Sequence, residues 1–191
     1  MKKIFLDCGS NVGQGFEEIS SREGIDSSWE VHMFEPNEAC LPKLEQYKRE
    51  NLYIHNVAVW NKDCHRNFCA SYCPIEKTWV GGASNILEKD EWLEDVPHGF
   101  RNLGEIKCIN FSNFIVNNFN NTDYILLKLD IEGAEFRVLG SLIFNDTIKY
   151  VNKAYVEFHE RLFETWWRFR HLKNRMIECF KDNNIEYEEW F

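Results

Sequence analysis

Long apolar runs are missing from this sequence of 191 residues. None approaches the roughly 18 residues that a membrane-crossing helix needs, so no membrane span is expected. The start, MKKIFLDCGSN, has only a short apolar stretch before Asp7. A secretory signal needs a longer one and a small-residue cleavage site, so the expectation is a cytoplasmic, intracellular chain. Positive charge is in deficit as well: Lys and Arg number 22 against 31 Asp and Glu, a formal net charge of −9. Such a chain repels phosphate backbones at long range, which argues against a nucleic-acid partner unless a local basic strip outvotes the average.

Seven cysteines are present, yet no C-x-x-C pair. Their odd number and irregular spacing point to reduced thiols rather than to structural zinc, even in the densest group, Cys64, Cys69 and Cys73 with His65. Internal repeats and a linker that would divide the chain are also lacking, so residues 1–191 are expected to form a single domain.

What is present is a packed-protein composition, 44% hydrophobic and 15% aromatic, arranged as short apolar runs between helix-compatible stretches. Strands are expected at Ile4–Cys8, Val31–Phe34, Leu52–Val59, Tyr124–Leu129 and Ala154–Phe158. Helices are expected at Gly13–Ser21, Glu38–Arg49, Phe111–Asn118, Ala134–Phe144 and Glu160–Lys181. In the last of these, Leu162, Trp166, Phe169, Met176 and Phe180 recur at helical spacing and predict one buried stripe. The alternation predicts an α/β fold with a mostly parallel central sheet and helices on both faces. Residues 60–107 break it and predict a hairpin with a lid over the substrate.

Three motifs carry chemistry. In IFLDCGSNVGQG an apolar strand ends at Asp7 and runs through Gly9 and Gly13 into a helix. Glycines there allow a tight turn and a close approach of backbone to a ligand. The G-x-x-x-G spacing is neither the dinucleotide fingerprint nor a P-loop, which would carry a lysine. A carboxylate at Asp7 repels a pyrophosphate and suits a ligand with an amino group, which favours S-adenosylmethionine over NAD or ATP. In FEPN, Glu35 closes the second strand about 20 residues on, where an acid binds ribose hydroxyls. Pro36 stiffens the chain beside the adenine. In LKLDIEGAE, Lys128, Asp130 and Glu132 emerge at the carboxyl end of the most continuous strand, and Gly133 turns the chain into a helix.

The segments DCGSNVG, FEP and LKLDIEGAE resemble the FkbM family of methyltransferases, as do NVAVW at Asn56–Trp60 and GGASNIL at Gly81–Leu87. The resemblance runs from residue 4 to about 160. It implies a Rossmann-like class I methyltransferase domain, S-adenosyl-L-methionine as cofactor with S-adenosyl-L-homocysteine as product, and methylation of a hydroxyl, often on a sugar or natural product. It implies a cofactor site of Asp7, Gly9, Ser10, Asn11, Gly13, Glu35, Pro36, Asn56, Val57, Ala58 and Asp130. An acceptor site would take Ser84, Asn85, Glu132 and His159. The Cys-rich middle departs from the family pattern. So does the C-terminus: Ile185–Phe191 supplies one strand where the class I fold closes with an antiparallel pair, and an incomplete pair leaves a sheet edge for a partner or a neighbouring domain of a larger glycan-modifying protein.

Methyl transfer to an alcohol needs an aligned acceptor and a base. His159, in VEFHE, is favoured as that base, with Asp130 orienting the acceptor or sharing the role; Lys128 and Glu157 complete the candidate catalytic set. Asp130, Glu157 and His159 could alternatively hold a divalent ion that acidifies the hydroxyl. His32, His55, His65, His98 and His171 show no partner pattern. The expected function is methylation of a sugar or glycan hydroxyl. The rivals are an RNA ribose 2'-O-methyltransferase and a non-catalytic scaffold. The first draws on the aromatic and basic stretch Trp166–Arg175, more simply read as an amphipathic helix with its aromatics in the core.

Overall fold

The computed structural model of the protein describes residues 1–73, 78–85, 100–163 and 165–190, and the side chains of 1–69, 103–163 and 165–190. In chain order the elements are β1 (Lys3–Cys8), α1 (Gln14–Glu23), β2 (Glu30–Phe34), α2 (Leu41–Leu44), β3 (Leu52–His55), β4 (Ala58–Trp60), β5 (Cys64–Cys73), β6 (Thr78–Asn85), β7 (Phe100–Asn110), α3 (Phe111–Asn118), β8 (Tyr124–Leu129), α4 (Glu135–Phe144), β9 (Val151–Val156), α5 (Trp166–Asp182) and β10 (Glu186–Glu189).

Six strands form a sheet in the order β10-β9-β8-β1-β2-β3, every neighbouring pair parallel. The central strands are apolar along their length because helices cover both faces. Ile125, Leu126, Leu127 and Leu129 of β8 are fully buried, as are Ile4, Phe5 and Leu6 of β1. One face packs against α3, α4 and α5 through Phe111, Ile115, Val138, Leu139, Met176 and Phe180. The other packs against Phe16 and Ile19 of α1 and Leu44 of α2. This is the Rossmann-like α/β arrangement. The chain order reverses between β1 and β8, and that switch point opens a crevice at the carboxyl ends of the two strands.

Four further strands form a second sheet, β4-β7-β5-β6. The expected single strand Leu52–Val59 is split between the sheets: Asn56 breaks it by donating its side-chain amide to the carbonyls of Glu35 and Pro36. The hairpin expected in residues 60–107 is present as antiparallel pairs β5–β6 and β5–β7. The expected lid falls partly on 74–77 and 86–99, outside the described residues. Trp60, Phe68 and Cys108 carry the second sheet into the same core. Cys64 and Cys69 lie five positions apart along β5, about 17 Å in an extended strand, so they cannot share one ion.

Three expectations need correction. The helix expected over Glu38–Arg49 shrinks to α2 and a 3-10 turn at Glu45–Tyr47. The helix expected over Glu160–Lys181 begins only at Trp166, after a 3-10 turn at Glu160–Leu162. Phe163 between them stacks on Phe169 with ring centroids 3.7 Å apart and meets Phe136 edge-on. Phe163 therefore fills the place expected of Trp166, which is 44% exposed, while Met176 and Phe180 are buried as expected. The single strand expected within Ile185–Phe191 is present: β10 joins the sheet parallel to β9 at its edge, held by Lys153, which pairs with Glu23, Glu186 and Glu188 at 2.9, 2.7 and 3.1 Å.

Candidate active site

The glycine turn is built by contact between strand tips. Gly9 has φ of +79°, and a Cβ there would lie 1.8 Å from the carbonyl oxygen of Asp130. The backbone amides of Gly9 and Ser10 both donate to the carbonyl of Phe34, at 3.0 and 3.1 Å, so the turn also clasps β2. Gly13, at φ of +99°, leaves room for the ring of Tyr47, which a Cβ would meet at 2.3 Å. Ser10 donates its hydroxyl to the carbonyl of Asp7.

Asp7 and Lys128 face each other in the β1–β8 register. Lys128 Nζ lies 3.5 Å from Asp7 and 3.3 Å from Asp130, and donates to the carbonyl of Gly9 at 2.8 Å. Both side chains are out of reach of solvent, Asp7 completely and Lys128 to within 2%. Burial raises the pKa of the Asp7 carboxyl, and Lys128 offsets part of that rise. Burial lowers that of Lys128, but Asp7 and Asp130 outweigh it and raise the net value. Neither carboxylate oxygen of Asp7 has a hydrogen-bond partner; Lys128 faces it as an ion pair across the two strand tips and ties the pair to the turn through the carbonyl of Gly9.

Glu35 stands beyond the end of β2 and is nearly buried. One carboxylate oxygen accepts from the amide of Asn11 and the other from the amide of Asn37, both at 2.8 Å. Burial pushes its pKa up to about 7 against the pull of those two amides. Asn11 adopts a left-handed φ of 48° to reach it. Asn56 holds the Glu35–Pro36 backbone as described, Val57 is half-buried and Ala58 is buried. These residues gather on one side of the crevice.

On the other side lies a cluster of carboxylates around His159. Glu132 and Gly133 take left-handed φ values of 55° and 99°, and this turn sets the start of α4. Glu135, wholly buried, accepts from the amides of Ile131 and Gly133 and from Nδ1 of His159 at 3.0 Å. With Nδ1 so engaged, Nε2 of His159 points to Glu132 and Glu157, each at 3.5 Å. Burial acts to lower the His159 pKa, but Glu135, Glu132 and Glu157 overcome it and raise the value to about 10. Glu132 moves up to about 8, by burial first, with His159 opposing and neighbouring carboxylates adding. Glu157 is also raised, chiefly by burial.

Ligand atoms of Asp130, Glu132 and His159 lie within 4.8 Å of one another, so this trio could hold a cation. The expected set had Glu157 in the place of Glu132. Glu135 is absent from the expected site altogether, although the E-G-A-E spacing that folds it back onto the turn is visible in the sequence. Ser84 and Asn85 lie on β6, but their side chains are outside the described residues, and so is His98. His32 and His55 prove to be partners: Nδ1 of His32 and Nε2 of His55 are 2.9 Å apart among Phe34, Phe114 and Phe119.

A parallel sheet with this reversal of order, a glycine turn after β1, an acid after β2 and a polar cluster after β8 together define a Rossmann-like methyltransferase. A family model described as the methyltransferase FkbM domain matches residues 7–184, most of the chain. The chain belongs to the FkbM methyltransferase family. No curated protein and no solved structure matches it. Among the described residues no helix is long and apolar enough to cross a membrane.

Proposed function

We propose that this chain is an S-adenosylmethionine-dependent O-methyltransferase acting on a sugar or glycan hydroxyl, with residues 1–191 forming one catalytic domain. The observation that carries the reading is the cluster of carboxylates, Asp130, Glu132 and Glu157, gathered around His159 beside the glycine turn. An alcohol must lose its proton as its oxygen is methylated, whereas transfer to a stronger nucleophile needs no such cluster.

The charges at the crevice fit the cofactor. With Asp7 paired to Lys128 and Glu135 to His159, the carboxylates of Glu35, Asp130 and Glu157 remain in excess, and a ligand with an ammonium and a sulfonium group relieves that excess. When bound, S-adenosylmethionine supplies an electrophilic methyl group. Glu35 keeps a lone pair free on each oxygen for ribose hydroxyls, and the Gly9–Gly13 turn keeps the backbone low beneath them.

The proton-accepting role shifts from His159 to Glu132. A histidine with a pKa of about 10 already holds its proton at neutral pH. Glu132, at about 8, is the group matched to the task, because a base works best near the operating pH. His159 is then the cation that keeps enough of Glu132 ionised, and Glu135 fixes its ring. Asp130 and Glu157 orient the acceptor.

Calorimetric titration with S-adenosylmethionine and S-adenosylhomocysteine, with and without magnesium, followed by methyl transfer to a panel of saccharides, tests the reading. Micromolar binding and a methylated sugar support it. Absence of binding in both conditions overturns it in favour of a scaffold. Binding only with magnesium assigns the cation site to Asp130, Glu132 and His159.

A further inference from the structure

The amino end of α5 carries an unusual surface. Residues 166–175, WWRFRHLKNR, hold four cations and no acid, and setting those four aside takes the remaining chain from −9 to −13. Trp166 and Trp167 are 44% and 50% exposed. Arg170 lies over the Trp166 ring and Arg168 over the Trp167 ring, at 5.1 and 5.0 Å from the centroids. Trp167, Arg168, His171, Leu172 and Arg175 share one exposed face, since they fall at helical spacing. Lys173 points away from it, to Glu189 and the ring of Phe158. The amphipathic helix expected here holds for Phe169, which packs on the core, but not for Trp166 and Trp167, which stand exposed.

The position of this face gives it a role. The chain leaves β9, passes His159 and enters α5, then returns in β10 parallel to β9. α5 therefore runs against the strands, and its amino end sits at the carboxyl edge of the sheet where the carboxylate cluster lies. Arg170 reaches back to within 3.9 Å of Glu160, the residue after His159. The stacked pairs Arg170 on Trp166 and Arg168 on Trp167 thus stand at the end of α5 that follows the segment of Glu157 and His159.

Resting on the glycan-methylating reading, we propose that this face of α5 holds the body of the acceptor, and that the acceptor is a negatively charged oligosaccharide. Flat indole faces pack on the C–H faces of pyranose rings, and the guanidinium groups pair with carboxylate, sulfate or phosphate substituents. The carboxylates around His159 repel those substituents, so only a neutral hydroxyl of the same acceptor faces Glu132. Charge on the chain thereby selects which end of the acceptor enters. A nucleic acid fits less well. The basic stretch spans about 15 Å of helix, enough to meet only a few phosphates, and a longer polyanion would run onto the acidic remainder.

The test uses the full chain with tetragalacturonate and its fully methyl-esterified, neutral form, which share one sugar backbone. Binding is read by tryptophan fluorescence and calorimetry at about 50 and about 300 mM salt. The acid form is expected to bind roughly tenfold tighter at low salt and to lose that advantage at high salt. Arg168→Glu with Arg175→Glu should remove the preference while leaving affinity for S-adenosylmethionine unchanged, and Trp167→Ala should weaken both forms. Equal binding of the two forms, or indifference to the arginine reversal, overturns the proposal. Tighter binding of a short single-stranded RNA or of anionic lipid vesicles to the same face also overturns it. A chain that binds the methyl donor but methylates no saccharide refutes the underlying reading. Saccharide methylation that ignores acceptor charge and the arginine reversal refutes this inference alone.

Discussion

Replacing His159 by Asn separates the two roles that a strand-end histidine could play. Nε2 of His159 is 3.5 Å from the nearer Glu132 oxygen. At an effective dielectric constant of about 20, a unit charge pair at that distance is worth roughly 5 kcal/mol. Side-chain relaxation and the other carboxylates reduce this, leaving an expected rise of about 1–2 pH units in the Glu132 pKa when the cation is removed. The sign follows from charge: loss of a cation favours the neutral carboxyl, so the ionised base needs a higher pH. The acidic limb of kcat/KM, expected near 8 in the native chain, should move upward in His159→Asn, with activity recovered in alkali. Glu132→Gln should instead lose about 10²–10⁴-fold at every pH, with no recovery. Carboxyl-carbon NMR of Glu132 reads the same shift without any acceptor. A His159→Asn chain that is inactive at all pH values, beside a Glu132→Gln chain that keeps its limb, would falsify the assignment and return the base to His159.

Other perturbations probe the frame around the site. Gly9→Ala places a Cβ against the Asp130 carbonyl at a left-handed φ, so a loss of more than about 3 kcal/mol and of donor binding is expected in thermal melts and calorimetry; a native-like melt would mean that the strand tips can part. Lys128→Met strands the buried Asp7 carboxylate and should cost about 3–5 kcal/mol in urea unfolding, with Asp7→Leu restoring part of it; additive losses would show that the pair is not coupled. Glu35→Gln puts an amide where two backbone amides need acceptors, and it should weaken S-adenosylmethionine binding about tenfold; an unchanged affinity would remove Glu35 from the cofactor site.

The parts of the fold that a single residue dictates were legible in the sequence. Gly9 and Gly13 mark backbone that must turn left-handed and lie close to a neighbour, and both do. The apolar continuity of Tyr124–Leu129 marks a strand covered on both faces, and β8 has those limits. Boundaries that depend on competition were not legible. Phe163 and Trp166 are equally apolar to a periodicity count, and only the stack of Phe163 on Phe169 decides which one is buried. Asn56 gave no local sign that it would cut a strand, because its partners are the carbonyls of Glu35 and Pro36 about 20 residues away.

Charge explains why the roles at the site resisted a reading residue by residue. Asp7, at a strand tip after an apolar run, has the local look of a ligand-binding acid, and its neutralising partner is Lys128 on the adjoining strand. His159 has the unperturbed pKa of a base, and Glu157 from its own segment with Glu132 and Glu135 from the turn after β8 raise it to about 10. Glu132 has the unperturbed pKa of a surface acid, and burial with the neighbouring carboxylates raises it to about 8, which is what fits it for the proposed role of base. A pKa belongs to a neighbourhood, so the order of residues along the chain can mark where a site lies before it can say which atom moves the proton. The same argument applies to α5. A net charge of −9 speaks against anionic partners for the chain as a whole, yet the stretch Trp166–Arg175 exposes three arginines on one helix, and within a Debye length an approaching ligand meets that local charge and not the average.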